Sequence, residues 1–142
     1  QIFGQSNSNF NPDKWNQLFE LPLNKMVDEY STGMKKKLAL MGVIALDKPI
    51  LMLDEPFNGV DLESNEKIKL VLKRLQENGK TIIVTSHILE TLTDICHQIS
   101  VLYEGKIELT SKHEEFDKLK LHLHQKINAK ASVIIDNIFN EK

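Results

Sequence analysis

The sequence predicts an α/β fold in which parallel strands are covered by helices, and three observations carry that prediction. Ile50 to Leu53 is a short, unbroken apolar run that ends in two carboxylates, Asp54 and Glu55, and then in Pro56. A strand that reads this way is expected to be buried on both faces, as in a parallel sheet. Thr81 to Val84 is a second apolar strand and leads into Thr85, Ser86 and His87. Between the two, Leu62 to about Glu77 has helical periodicity, so the three pieces make a right-handed βαβ unit. Both strands then point their carboxyl ends the same way. Asp54, Glu55 and His87 meet on the edge where open α/β sheets bind ligands.

The totals narrow the classes. At 142 residues one domain is expected, long enough to bury roughly two-thirds of its unfolded surface. A formal net charge of -2, with Arg74 the single arginine, supplies neither a basic field nor guanidinium forks, so no nucleic-acid partner is expected. Cys96 is the single cysteine, which suits a reducing compartment. The longest apolar stretch, Leu38 to Leu46, is far below the roughly 20 residues of a spanning helix. The chain begins at Gln1, without a signal-peptide pattern, and is expected to be an excerpt of a longer protein.

In chain order, residues 1–10 are rich in Gln, Asn and Ser and read as a loop. Asn11-Pro12 starts a helix, with Asn as cap and Pro in the first turn, and Pro22 is expected to end it. Trp15, Leu18 and Phe19 form its apolar face. Ser31 caps a helix that runs to about Leu46. Asp47 to Pro49 turn into the first strand. Asn58-Gly59 is a turn, and Asp61 caps the crossover helix, whose buried side is expected to be Ile68, Leu70, Val71, Leu72 and Leu75. Asn78-Gly79 stops it. A short helix over Leu89 to Ile95 precedes a hairpin, Ile99 to Leu102 and Lys106 to Leu109 around Tyr103-Glu104-Gly105. Residues 110–142 read as a charged helix over Glu114 to Leu121, an ambiguous piece, and a second helix over Ala129 to Phe139.

Two carboxylates at a strand end suit a metal-linked acid/base site, one holding Mg2+ and the other free to take a proton. The plainer alternative is a strand end capped by solvated acids. Gly79-Lys80-Thr81 imitates the end of a phosphate-binding P-loop, but Arg74 stands where the motif needs its first glycine. A helix precedes it and a strand follows, the reverse of the motif's context. No G-x-x-x-x-G-K-[ST] occurs elsewhere. The helix start at Ser31 offers a different phosphate contact through its free N–H groups, although an ordinary N-cap is the commoner use of such a serine. Lys35, Lys36 and Lys37 read mainly as a solvated face, and Trp15 and Met34 as packing. Leu121 to His124 alternate as if His122 and His124 formed half a metal site on a strand, with no partner ligand implied.

Together these pieces resemble the ATP-binding cassette (ABC) ATPases. Tyr30-Ser31-Thr32-Gly33-Met34 is similar to their signature motif, Ile50 to Glu55 to their Walker B strand, Asn58-Gly59-Val60-Asp61 to their D-loop, and His87 to their switch histidine. The order agrees, as do the spacings of 23 positions from Ser31 to Asp54 and 32 from Glu55 to His87. The resemblance covers residues 12 to 109. Thr32 and Met34 depart from the usual glycine and glutamine, Phe57 from a small polar residue, and His97-Gln98 from Asp-Arg. The family's P-loop and glutamine loop lie before the signature and are absent from this sequence.

The resemblance implies the C-terminal part of one P-loop NTPase-like nucleotide-binding domain. Residues 1–30 would be a helical-subdomain remnant, 31–109 the core from signature to switch histidine, and 110–142 the C-terminal tail, in a fold that ends in a short hairpin and a helical tail. ATP and Mg2+ are the implied cofactors. Asp54 would hold Mg2+ through water, Glu55 would be the general base, and His87 would contact the γ-phosphate. Ser31, Thr32 and Gly33 would bind the ATP of a facing subunit, and Asp61 would link the two sites. The implied partners are a transmembrane permease subunit and a second ATPase subunit, on the cytoplasmic face of the cell membrane, in a transporter of the exporter type. This chain alone is expected to be inactive. The alternatives are a non-catalytic truncated cassette that acts as an interaction partner and a soluble ABC-type ATPase.

Overall fold

The computed structural model describes residues 10–140. Of the N-terminal loop expected over residues 1–10, residues 1–9 lie outside the described residues. These form two compact units, one ending at His87 and the other beginning at Ile88.

The first unit contains α1 (Pro12–Phe19), α2 (Thr32–Ala45), β1 (Ile50–Asp54), α3 (Leu62–Glu77) and β2 (Thr81–Thr85). The expected caps are in place. Asn11 Oδ1 accepts from the Lys14 N–H at 3.0 Å, Ser31 Oγ from Met34 N–H at 3.2 Å, and Asp61 Oδ1 from Ser64 N–H at 2.8 Å. α1 stops before Pro22 acts. Glu20 turns left-handed at φ 54°, and the Asn16 amide both accepts from the Leu21 N–H and donates to its carbonyl. A side-chain clasp thus closes the helix two residues ahead of the proline.

β1 and β2 pair in parallel, Ile50 with Thr81 through Asp54 with Thr85. Burial corrects one expectation. Leu51 is buried and Leu53 half-buried, whereas Ile50 and Met52 are exposed, Met52 by 74%. Alternate residues of a strand face opposite sides. Helices therefore cover one face of this two-stranded sheet, and nothing among the described residues covers the other. Leu70 is a second correction. Ser64, Ile68, Val71 and Leu72 are buried on α3, and Leu75 is half-buried, while Leu70 is exposed. The buried positions follow steps of three and four. Leu70 falls off that stripe.

Gly79, at φ 82°, ends α3 before β2 begins. Lys80 pairs with Asp47 at 2.5 Å, next to the amino ends of both strands and away from Asp54. The P-loop look-alike therefore sits at the wrong edge for a phosphate cradle.

The second unit holds α4 (Leu89–Ile95), the antiparallel pair β3 (Gln98–Tyr103) and β4 (Lys106–Lys112), and α5 (Phe116–Asn140). Glu104 and Gly105 both have positive φ, which suits a tight two-residue hairpin turn. The tail differs from expectation: after one 3-10 turn, it is a single helix of 25 residues. Phe116 and Leu119 are buried, and Lys126 and Lys130 lie over the Tyr103 ring at 4.7 and 5.2 Å. The alternation around His122 and His124 imitates a strand, but the steps of three and four toward the hairpin win. On a helix those two histidines are about 200° apart and cannot share a metal.

Candidate functional site

The site is built at the carboxyl ends of β1 and β2. Asp54 and Thr85 are register partners, and the Thr85 hydroxyl donates to Asp54 Oδ1. The same hydroxyl and the Thr85 carbonyl both accept from the Glu55 N–H, each at 3.2 Å. Glu55 leaves the strand in the left-handed region, at φ 45°. A glutamate seldom adopts that conformation, and such residues collect at working sites.

The turn sends the Glu55 carboxylate across to β2. Its Oε1 accepts from the His87 backbone N–H at 3.0 Å and lies 2.9 Å from His87 Nδ1. With Glu55 ionised, Nδ1 carries the hydrogen of that contact, leaving Nε2 as the ring's other nitrogen. His87 is largely exposed. Glu55 Oε2 is buried and has no hydrogen-bond partner. A buried oxygen left so is a costly arrangement unless it has work to do. The structure thus joins Glu55 to His87 directly and reaches Asp54 through Thr85.

Ser31, Thr32 and Gly33 form the start of α2, with Ser31 and Thr32 exposed and Gly33 buried. A Cβ on Gly33 would meet the Gly59 carbonyl at 3.1 Å, and one on Gly59 would meet the Thr32 methyl at 3.5 Å. The missing Cβ of Gly33 is therefore needed against this chain's own turn. That turn follows directly from Glu55, whose carbonyl accepts from the Asn58 N–H at 3.3 Å. The sequence leaves Ser31 without a tie to the edge that carries Asp54 and Glu55, and this packing supplies one.

Asp61 is the cap of α3, and the Ser64 N–H, helped by the Ser64 hydroxyl and the Lys37 charge, holds its carboxyl below the usual range. Lys36 and Lys37, both half-buried, correct the reading of a solvated face, while Lys35 is exposed. Lys35 Nζ donates to the Asp28 carbonyl at 3.3 Å, Lys36 Nζ to the Glu55 carbonyl, and Lys37 Nζ to the buried Ser64 hydroxyl at 3.2 Å. Consecutive helical residues point about 100° apart, so each reaches a different neighbour. Thr85 and Lys36 are the residues that sequence reasoning missed. Pairing the two strand ends would have found Thr85; nothing local marks Lys36. A cleft of about 180 Å³ opens between α2 and β1 beside Asp54. Its Ala39, Leu40, Val43, Leu53 and Ile68 walls are apolar and do not suit a triphosphate.

Comparison with known proteins decides the family. A family model described as "AAA domain, putative AbiEii toxin, Type IV TA system" matches residues 13–93, more than half of the chain. The bacitracin transport ATP-binding protein BcrA of Enterococcus faecalis is 38% identical over 84 residues. The ABC transporter ATP-binding protein YtrB of Bacillus subtilis (strain 168) is 30% identical over 115. The chain belongs to the AAA-domain proteins of the ABC type. Among solved structures, a dimeric ABC cassette in a post-hydrolysis state with ADP and Pi matches with a TM-score of 0.63 and 27% identity. That match covers 70% of this chain and 44% of the cassette. The BcrA and YtrB matches cover 58% and 78% of this chain but 27% and 39% of the relatives, so this ABC chain spans well under half their length. The family match takes in Ser31, Thr32, Gly33, Asp54, Glu55, Asp61 and His87.

Proposed function

We propose that this chain is the C-terminal part of an ABC nucleotide-binding domain that, in the complete protein, binds and hydrolyses ATP to drive an exporter. The observation that carries this reading is Glu55, fixed by His87 through Oε1 and presenting a buried, unpartnered Oε2. Glu55 takes the proton of the attacking water as general base. His87 holds the Glu55 carboxylate through Nδ1 and, when Nε2 also carries a hydrogen, donates it to the γ-phosphate. Ser31, Thr32 and Gly33 present a helix N-terminus to the triphosphate of a facing subunit. Asp61 joins the two sites at that interface.

The residues fit Mg2+. Asp54 is exposed, with Oδ1 on Thr85, and no group of three or more candidate metal ligands exists among the described residues. That suits a cation held by one carboxylate, water and phosphate oxygens rather than by an all-protein cage. When bound, Mg2+ neutralises charge on the phosphates. The working assembly is a dimer of ATPase subunits with a transmembrane permease subunit, held on the cytoplasmic face of the membrane by the permease. No helix among the described residues is long and apolar enough to cross a membrane. Residues 1–30, 31–109 and 110–142 serve as subdomain remnant, catalytic core and tail.

Glu55→Gln in the full-length protein tests this reading. The ATPase reading expects ATP binding to persist and turnover to fall about 10²- to 10⁴-fold. Near-normal hydrolysis by that variant would overturn it.

A further inference from the structure

We propose that Lys36 is a positioning residue for Glu55: its ammonium reaches from α2 to the Glu55 carbonyl and holds the backbone that aims the carboxylate. The inference rests on the reading of Glu55 as the base.

Glu55 is held at φ 45°, a conformation that persists only where the surroundings over-determine it. On its amino side the N–H is tied to Thr85, one strand away. On its carboxyl side the carbonyl accepts from two donors. The Asn58 N–H belongs to the turn that Glu55 itself opens, so the two move together. Lys36 Nζ lies 19 residues earlier in the chain and ties the Glu55 carbonyl to another element. Its helix is rooted in the core by Leu40, Met41 and Ala45. A charged donor makes a stronger bond to a carbonyl than a neutral one. Lys35 and Lys37 cannot replace it, since they are committed to Asp28 and Ser64.

The consequence is a physical link between two parts of the site. The helix that presents Ser31 and Gly33 at its start also grips the base of its own subunit one turn later. A shift of α2 on contact with the facing nucleotide moves the Glu55 carbonyl. The orientation of the base then depends on the position of the signature helix.

The test compares Lys36→Met, Lys36→Arg and Glu55→Gln in the full-length protein, by steady-state ATPase kinetics and thermal unfolding. Lys36→Met keeps the stem and removes the donor. It should lower kcat about ten- to a hundredfold, as small misplacements of a reacting group do. KM for ATP should stay within about twofold, since binding is untouched. Lys36→Arg should restore most of kcat. Lys36→Met in the Glu55→Gln background should cost nothing more. Should Lys36→Met fail to fold, Lys36→Gln, with a shorter donor, should give an intermediate kcat. Wild-type kcat in the folded donor-less variant, or in Lys36→Gln where that one is needed, would overturn the proposal. So would an effect confined to KM, or equal loss in Lys36→Arg. If Glu55→Gln itself retains turnover, the reading of the base fails and the Lys36 proposal with it. If Glu55→Gln is dead and Lys36→Met is normal, only the positioning role fails.

Discussion

One oxygen joins Glu55 to His87 twice: Glu55 Oε1 takes the His87 main-chain N–H at 3.0 Å and faces the ring Nδ1 at 2.9 Å. The two contacts have different sensitivities to mutation. Removing the ring leaves the main-chain bond in place.

His87→Ala should therefore leave Glu55 near its position and ATP binding intact, while turnover falls on the order of a hundredfold, the usual loss of one charge-stabilising donor. In a Glu55→Gln background the same change should add little, because residues that act as a unit are not additive. Single-turnover hydrolysis of the four proteins checks this. Losses that multiply would mean that His87 acts apart from Glu55.

The 142-residue chain alone should not bind ATP tightly. A helix N-terminus contributes about 0.3–1 kcal/mol, and up to ~2 kcal/mol when partly buried. Association costs on the order of 4–15 kcal/mol. Calorimetry that found micromolar binding would reveal a phosphate site elsewhere in these residues.

Ser31 should act on the nucleotide of the facing subunit. Mixed dimers of the full-length protein decide this, using Ser31→Arg and a disabled phosphate-binding loop. With the lesions in different subunits, action across the dimer leaves one working site. With both lesions in one subunit, it leaves none, because the intact loop then faces the substituted signature. Activity is expected in the first mixture and little in the second. The reverse pattern assigns Ser31 to its own subunit.

Asp61 should make stability depend on pH at the acid end. Its folded-state carboxyl lies below the usual value, first through the Ser64 N–H. The stabilisation it provides is complete above the ordinary aspartate range, near ~3.9, and is lost as pH falls through the depressed folded value. Asp61→Ala should lower the melting temperature at neutral pH, and its gap to wild type should close at strongly acidic pH. A gap constant across that range would show that the charge on Asp61 contributes nothing.

Much was legible in the sequence because its signals are local. Caps act within three residues, so Asn11, Ser31 and Asp61 mark helix starts wherever the helices later pack. Topology follows from element order, which is enough to bring His87 to the edge of Asp54 and Glu55. The P-loop look-alike at Gly79 could be dismissed on order alone, and the pair of Lys80 with Asp47 agrees.

What the sequence by itself determined is thus the set of elements, their order, and the edge where the chemistry gathers. Only the tertiary structure decided what each side chain meets, because those contacts join residues far apart in sequence. The left-handed turn at Glu55, the reach of Lys36 over 19 residues to its carbonyl, and the close fit of Gly33 on Gly59 leave no periodic trace. Burial also depends on what lies alongside. Ile50 to Leu53 has the apolarity of a strand covered on both faces, yet among the described residues only one face is covered. The tail turned on the same physics: its alternation is a local signal, and packing of α5 on the hairpin through Phe116, Leu119 and the lysines over Tyr103 overrode it.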